Sequence, residues 1–201
     1  MPPDRRAGSA DSKTRTSILE AAERILLEEG HGAVTSRAVA ARAGIHAGNV
    51  HYYFPTLDDL FVALLDRGAD RNLRRIGEAL ADAQPLKALW RLSSGSQGVG
   101  LLNELMAAAG HREPLRVRVS SLADDARRMQ VDALRTLLPQ YGLDEAILPP
   151  ELVAAMLQGT ALLVARETAR DGGPSVVAVT DAAEALIDLL EAHRASNEPA
   201  G

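Results

Sequence analysis

An all-α fold is predicted for this chain, and three observations carry the prediction. Apolar residues recur three and four apart along almost the whole length, β-branched runs with strand-like alternation are scarce, and glycine and proline punctuate the periodic stretches. At 201 residues the folded chain buries roughly 70% of the surface it would expose unfolded, enough for one sizeable domain or a small one beside a larger one. There is no cysteine, which excludes disulfides and thiolate metal sites. The opening MPPDRRAGSADSK lacks the apolar segment of a secretory signal, and no stretch approaches the length of a membrane span. A soluble, cytoplasmic protein without membrane contact is expected.

Residues 1–12, rich in Pro, Gly, Ser and charge, read as a disordered tail. A first helix runs from about Thr14 to Glu29, with Ile18, Ala21, Ala22, Ile25 and Leu26 on one face, and Gly30 ends it. Thr35 has the chemistry to N-cap a second, short helix through Ala43, with Val39, Ala40 and Ala43 turned inward. Gly44 stops that helix, and a third runs from about Ala47 to Tyr53 before Pro55. Thr56 and Asp59 have the spacing of a capping box for a long helix carrying Leu60, Phe61, Leu64, Leu65, Leu73, Ile76 and Leu80 ahead of Pro85. Further helices are expected at 86–94, 99–109, 115–138, 150–170 and 176–194, bounded by Pro114, Pro139, the Pro149–Pro150 pair and the DGGPS break. SSGSQGVG, at 93–100, lacks the GK[ST] ending of a phosphate-binding loop and follows no strand, so it reads as a connection between helices. The division expected is a tail over 1–12, a three-helix domain over 13–56 and a larger helical domain over 57–201.

Gly44 carries most of the functional argument. Two helices meet steeply across a three- or four-residue turn only if one turn residue takes a left-handed backbone, which glycine does without a Cβ penalty. Val39, Ala40, Ala43, Ile45, Val50 and Tyr53 stand where such a pair must be apolar, and Ala40 is small enough for close approach. The spacing is that of a helix-turn-helix. In such a unit the second helix enters the major groove of DNA. Its outward residues would be His46, Ala47, Gly48, Asn49, His51 and Tyr52. Asn49 suits bidentate pairing with adenine, and His46 and His51 suit guanine acceptors or phosphates. Tyr52 offers a hydroxyl to a phosphate, and Thr35 with the free N–H groups of its helix forms another phosphate seat. Short helix-glycine-helix units also occur in proteins that touch no DNA, so spacing alone leaves both readings open. Charge is permissive: the net charge is −5, but the first 56 residues have a slight basic excess and the acidic balance lies beyond them.

Residues 14–65, and within them TSRAVAARAGIHAGNVHYYFPTLDDLF at 35–61, resemble the TetR family of bacterial transcriptional regulators. The shared form is a threonine-started helix, an alanine-rich turn with glycine, a short helix ending in aromatics, then proline and an acidic Leu-Phe helix start. The resemblance implies a dimer that binds a palindromic operator, usually represses, and is released when a small molecule fills its C-terminal domain. By position it implies DNA contacts at Thr35, Asn49, His51 and Tyr52, and a base or phosphate contact at His46. The chain departs from the family pattern at Ala47 and Leu57, where lysines are frequent, and at His51, where tyrosine is common.

The helices at 150–170 and 176–194 combine apolar faces with small residues such as Ala155, Gly159 and Ala183. A family-like homodimer would make a four-helix bundle from two copies of this pair, and an ordinary intramolecular core is the alternative. An effector pocket is expected in the middle helices, with Trp90, Asn103, Met106 and Met129 as candidate lining. Few aromatics and abundant Leu, Val, Ala and Met favour an apolar or amphipathic effector. The rival readings are a ligand-independent DNA-binding protein and a helical enzyme. Against an enzyme, His31, His46, His51, His111 and His193 form no HExxH pair, and there is neither a GxSxG elbow nor a cysteine nucleophile. No catalytic residue, cofactor or metal is expected.

Overall fold

The computed structural model describes residues 5–94, 99–168 and 174–197. Residues 1–4 of the expected tail, 95–98 of the SSGSQGVG connection and 169–173 around the DGGPS break lie outside them. Among the described residues there are nine α-helices and no strand: α1 Arg5–Glu29, α2 Ser36–Ala43, α3 Ala47–Tyr53, α4 Leu57–Leu80, α5 Pro85–Ser94, α6 Val99–Ala109, α7 Glu113–Leu137, α8 Pro150–Thr168 and α9 Pro174–Asn197. The all-α fold predicted from periodicity is the one observed. Helix α1 starts at Arg5, well before Thr14. Nothing in RRAGSADSK forbids helical backbone, since Arg, Ala and Lys are good helix formers and the single Gly8 only weakens the turn it occupies.

The chain forms two compact units, one from Met1–Asp70 with Gln97–Leu122, the other from Arg71–Ser96 with Ala123–Gly201, so the division falls inside α4 and α7. In the first unit, Ile18, Ala21, Ala22, Ile25 and Leu26 of α1 are buried with Val39 and Ala40 of α2 and Val50 of α3. The same core takes in Leu60, Phe61 and Leu64 of α4, Leu101, Leu105 and Ala108 of α6, and Leu115 of α7. The three short-range helices therefore do not close their core alone. Ion pairs on the rim tie the later helices to the earlier ones: Arg112 reaches Asp58, Arg118 Nε donates to Asp66 at 2.7 Å, and Arg67 donates to Glu20 at 3.3 Å.

In the second unit, Leu86, Leu89 and Trp90 of α5 pack with Leu134 and Leu137 of α7, Leu138, Tyr141, Ala154 of α8 and Ile187 of α9. Its interior also holds a carboxylate, Glu191, only 3% exposed. Pro85 opens α5 at the position where its missing N–H is no loss.

Candidate nucleic-acid interface

Helix α2 begins on Thr35, whose backbone is extended (φ −128°) and whose Oγ1 accepts from the N–H of Ala38 at 3.1 Å. The threonine is exposed, so the first turn of α2 is both capped and open to solvent. At the other end Gly44 adopts φ 68°, ψ 33°. Its N–H donates to Ala41 at 3.3 Å, and the N–H of Ile45 reaches back to Ala40 at 3.0 Å, the paired closure of a Schellman turn. The chain is thereby turned sharply with its carbonyls satisfied.

Helix α3 follows after two residues. His46 is its N-cap residue with extended backbone, and its ring makes no capping hydrogen bond. Val50 is 1% exposed and Phe54 3%, so one face of α3 and its end are held in the core, with Tyr53 half-buried beside them. The opposite face presents His46, Gly48, Asn49, His51 and Tyr52, all exposed. Tyr52 stands 75% exposed with its ring edge-on to Tyr53 at 5.0 Å between centroids. The five expected DNA contacts, Thr35, His46, Asn49, His51 and Tyr52, thus lie on the α2–turn–α3 unit with their side chains open to solvent. Ala47 differs from expectation: it is half-buried and packs against the core, because the first turn of α3 leans on α2.

The electrostatics around this face are organised. Arg42 donates to Glu28 at 2.6 Å and Glu29 at 2.7 Å, which ties the end of α2 to the end of α1 and holds its guanidinium pKa above the ordinary value, chiefly through the Glu28 hydrogen bond. Glu104 of α6 accepts the backbone N–H of His31 at 2.9 Å and lies 3.2 Å from its Nδ1. That backbone bond holds the Glu104 carboxyl below its usual range. After α3, Thr56 and Asp59 form the expected box: Thr56 N–H to Asp59 Oδ2 at 2.9 Å, Asp59 N–H to Thr56 Oγ1 at 3.1 Å. Arg37, in the first turn of α2 two residues after Thr35, is an exposed cation that sequence reading passed over; its place beside the cap was the available signal.

Residues 18–64 match the family model for bacterial regulatory proteins of the tetR family. That stretch is similar to the N-terminal region of the TetR family. It is 32% identical over 134 residues to the HTH-type transcriptional repressor KstR of Mycobacterium tuberculosis, covering 64% of this chain and 56% of that protein. The chain thus spans about half the length of the curated relatives it matches best in extent. A TetR-family member from Streptomyces coelicolor shares its fold with TM-score 0.61 and 27% identity, over 88% of this chain and 97% of that one. A TetR regulator from Haloarcula marismortui aligns with TM-score 0.68 at 23% identity, over 89% and 98% of the two chains.

The residues expected to line a TetR-type effector pocket fall in different places. Trp90 and Met129 belong to the second unit, the former 2% exposed in the core, the latter half-buried on α7; Asn103 and Met106 are exposed on α6, in the first unit. Within the second unit a shallow cleft of about 200 Å³ is lined by Lys87, Trp90, Arg91, Glu184 and Ile187. Trp90 Nε1–H donates to Glu184 across it at 3.4 Å, and Lys87 Nζ donates to Asp188 at 2.5 Å. Among the described residues no group of three carboxylates or imidazoles is placed to hold a metal, and no helix is long and apolar enough to cross a membrane.

Proposed function

We propose that this protein is a TetR-family, ligand-responsive repressor that binds a palindromic operator as a homodimer and is released by a small apolar or amphipathic effector. One observation carries the reading: the left-handed turn at Gly44 fixes α3 with Val50 inward and Asn49, His51 and Tyr52 outward. That is the geometry by which a short helix reaches base edges from the major groove. The similarity to a transcriptional repressor over 134 residues supports the sign of regulation. We place it in the cytoplasm, with neither cofactor nor enzymatic activity, in keeping with a regulator. The proposed division of labour keeps DNA reading in residues 13–56 and effector binding and dimerisation in 57–201, with Trp90 as the first effector contact to test and Asn103, Met106 and Met129 after it.

A gel shift with DNA from upstream of its own gene tests the reading directly. Asn49→Ala is expected to cost about 1–3 kcal/mol and to relax base preference at one operator position. Uniform weakening on every sequence would instead make Asn49 a backbone contact. No shift on any DNA would end the repressor reading.

Dimerisation is supported by apolar residues left in solvent on α8 and α9: Leu152 and Met156, four apart, and Leu186 and Leu189, three apart, each 48% exposed or more. Such pairs share a helix face and gain by burial against a second copy. Light scattering should return twice 21.4 kDa. Leu189→Asp is expected to shift the protein towards monomer and abolish operator binding with it. A wild-type monomer at micromolar concentration would rule out the two-fold operator complex.

A further inference from the structure

Arg15 of α1 is seated at the end of the proposed recognition helix, and among the described residues no carboxylate pairs with its guanidinium. In the first unit Arg42, Arg67, Arg112, Arg116 and Arg118 are each paired with an acid. Among the described residues of that unit, Lys13, Arg15, Arg24 and Arg37 are exposed with no such partner. Arg15 differs from the other three in being held: its Cζ lies 5.1 Å from the centroid of the Phe54 ring. Phe54 is itself 3% exposed and anchored by its N–H to the carbonyl of Val50 at 2.8 Å, so it is a fixed platform.

We propose that Arg15 is a DNA-backbone contact, its guanidinium presented to a phosphate from the face of Phe54; the inference rests on the DNA-binding reading above. A guanidinium held over a ring by cation–π attraction spends none of its N–H donors on that contact, which leaves the fork that matches a phosphate bidentately. The ring contact also fixes part of the side chain before DNA arrives, which lowers the entropy lost on contact. The position agrees with the polarity of α3. Its N-terminal end carries the cap residue His46 and Asn49, groups suited to bases, and its last turn carries Tyr52, with Phe54 and the ring-held Arg15 just beyond it. Contact at that end positions the helix in the groove without reading sequence. Arg15 then supplies charge that Ala47 and Leu57 do not.

The test is the salt dependence of binding to two duplexes, one of mixed sequence and one from upstream of the gene, with thermal melts alongside. Arg15→Ala is expected to reduce the slope of log K against log salt by about 0.9 on both duplexes. Arg15→Lys should restore the slope, because it restores the charge that displaces a counterion. Arg24→Ala, an exposed and unpaired α1 cation without a ring partner, serves as the control and should leave the slope at the wild-type value. If Arg15→Ala lowers the melting temperature yet leaves slope and affinity unchanged, Arg15 only covers Phe54 and the proposal fails while the DNA reading stands. If the wild-type protein binds neither duplex, the DNA reading itself fails and takes this proposal with it.

Discussion

Glu191→Ala is expected to destabilise the second unit by about 3 kcal/mol and to lower its melting temperature by roughly 10 °C. The carboxylate is 3% exposed and every one of its partners is specific. Oε1 accepts the N–H of Leu86 at 2.9 Å and of Lys87 at 3.2 Å; Oε2 accepts the Tyr141 hydroxyl at 2.9 Å and faces Arg194 Nε at 3.5 Å. Leu86 and Lys87 are in the first turn of α5, where helical N–H groups have no partner within their own helix. Glu191 therefore caps α5 from α9, with its negative charge at the favourable end of the helix dipole. Truncation leaves two amide donors and a buried phenol without an acceptor, and a void beside them. Glu191→Gln retains one acceptor oxygen but sets amide hydrogens against donors, so an intermediate loss is expected. A denaturant titration showing under 1 kcal/mol for Glu191→Ala would mean that water replaces the carboxylate.

The same cluster predicts an alkaline limit. Burial, then the Glu191 hydrogen bond, pushes the Tyr141 hydroxyl up to about 12 from 10.0. The native state thus favours the neutral phenol more than the unfolded chain does. Its contribution is complete below pH ~10, the unfolded pKa, and is lost as pH rises through the native value. Phenolate absorbance should show one tyrosine ionising in that upper window, absent in Tyr141→Phe.

The parts of this molecule that were legible in its sequence are those whose physics is local. Thr35 and Thr56 announce helix starts through their own side chains, Gly44 announces a left-handed turn, and the apolar spacing around it fixes which face of α3 is free. Glu191 was not legible, because its partner Leu86 is 105 residues away and nothing near either residue advertises the other. Arg15 was hidden for the same reason: its meaning depends on Phe54, which only folding brings to it. The core of the first unit likewise recruits Leu101, Leu105 and Leu115, whose periodicity says they are buried but not against what. Effector residues are the hardest case. Trp90, Asn103, Met106 and Met129 were chosen by type, and residue type cannot distinguish a pocket wall from an ordinary core or surface position.

Substitutions at Gly44 should rank Asn, then Ala, then Val in increasing damage, with Ala costing about 1 kcal/mol and Val about 2 kcal/mol or more. The ranking isolates backbone conformation, because a Cβ built at Gly44 meets no heavy atom within 4 Å. No clash needs relieving. What remains is the left-handed φ of 68°, which asparagine tolerates, alanine resists and a β-branched side chain resists most. The functional consequence follows from the two hydrogen bonds that Gly44 and Ile45 return to α2. If the turn relaxes to a right-handed backbone, these are lost and α3 swings away from the angle that keeps Val50 in the core. Affinity for DNA should therefore fall in the same order as stability, and below the melting transition it should fall further than the unfolded fraction explains. Urea unfolding followed by a probe in the first unit, together with a gel shift at fixed salt, measures both quantities. A Gly44→Val protein that unfolds at the wild-type midpoint and binds with wild-type affinity would show that the angle between α2 and α3 is set elsewhere.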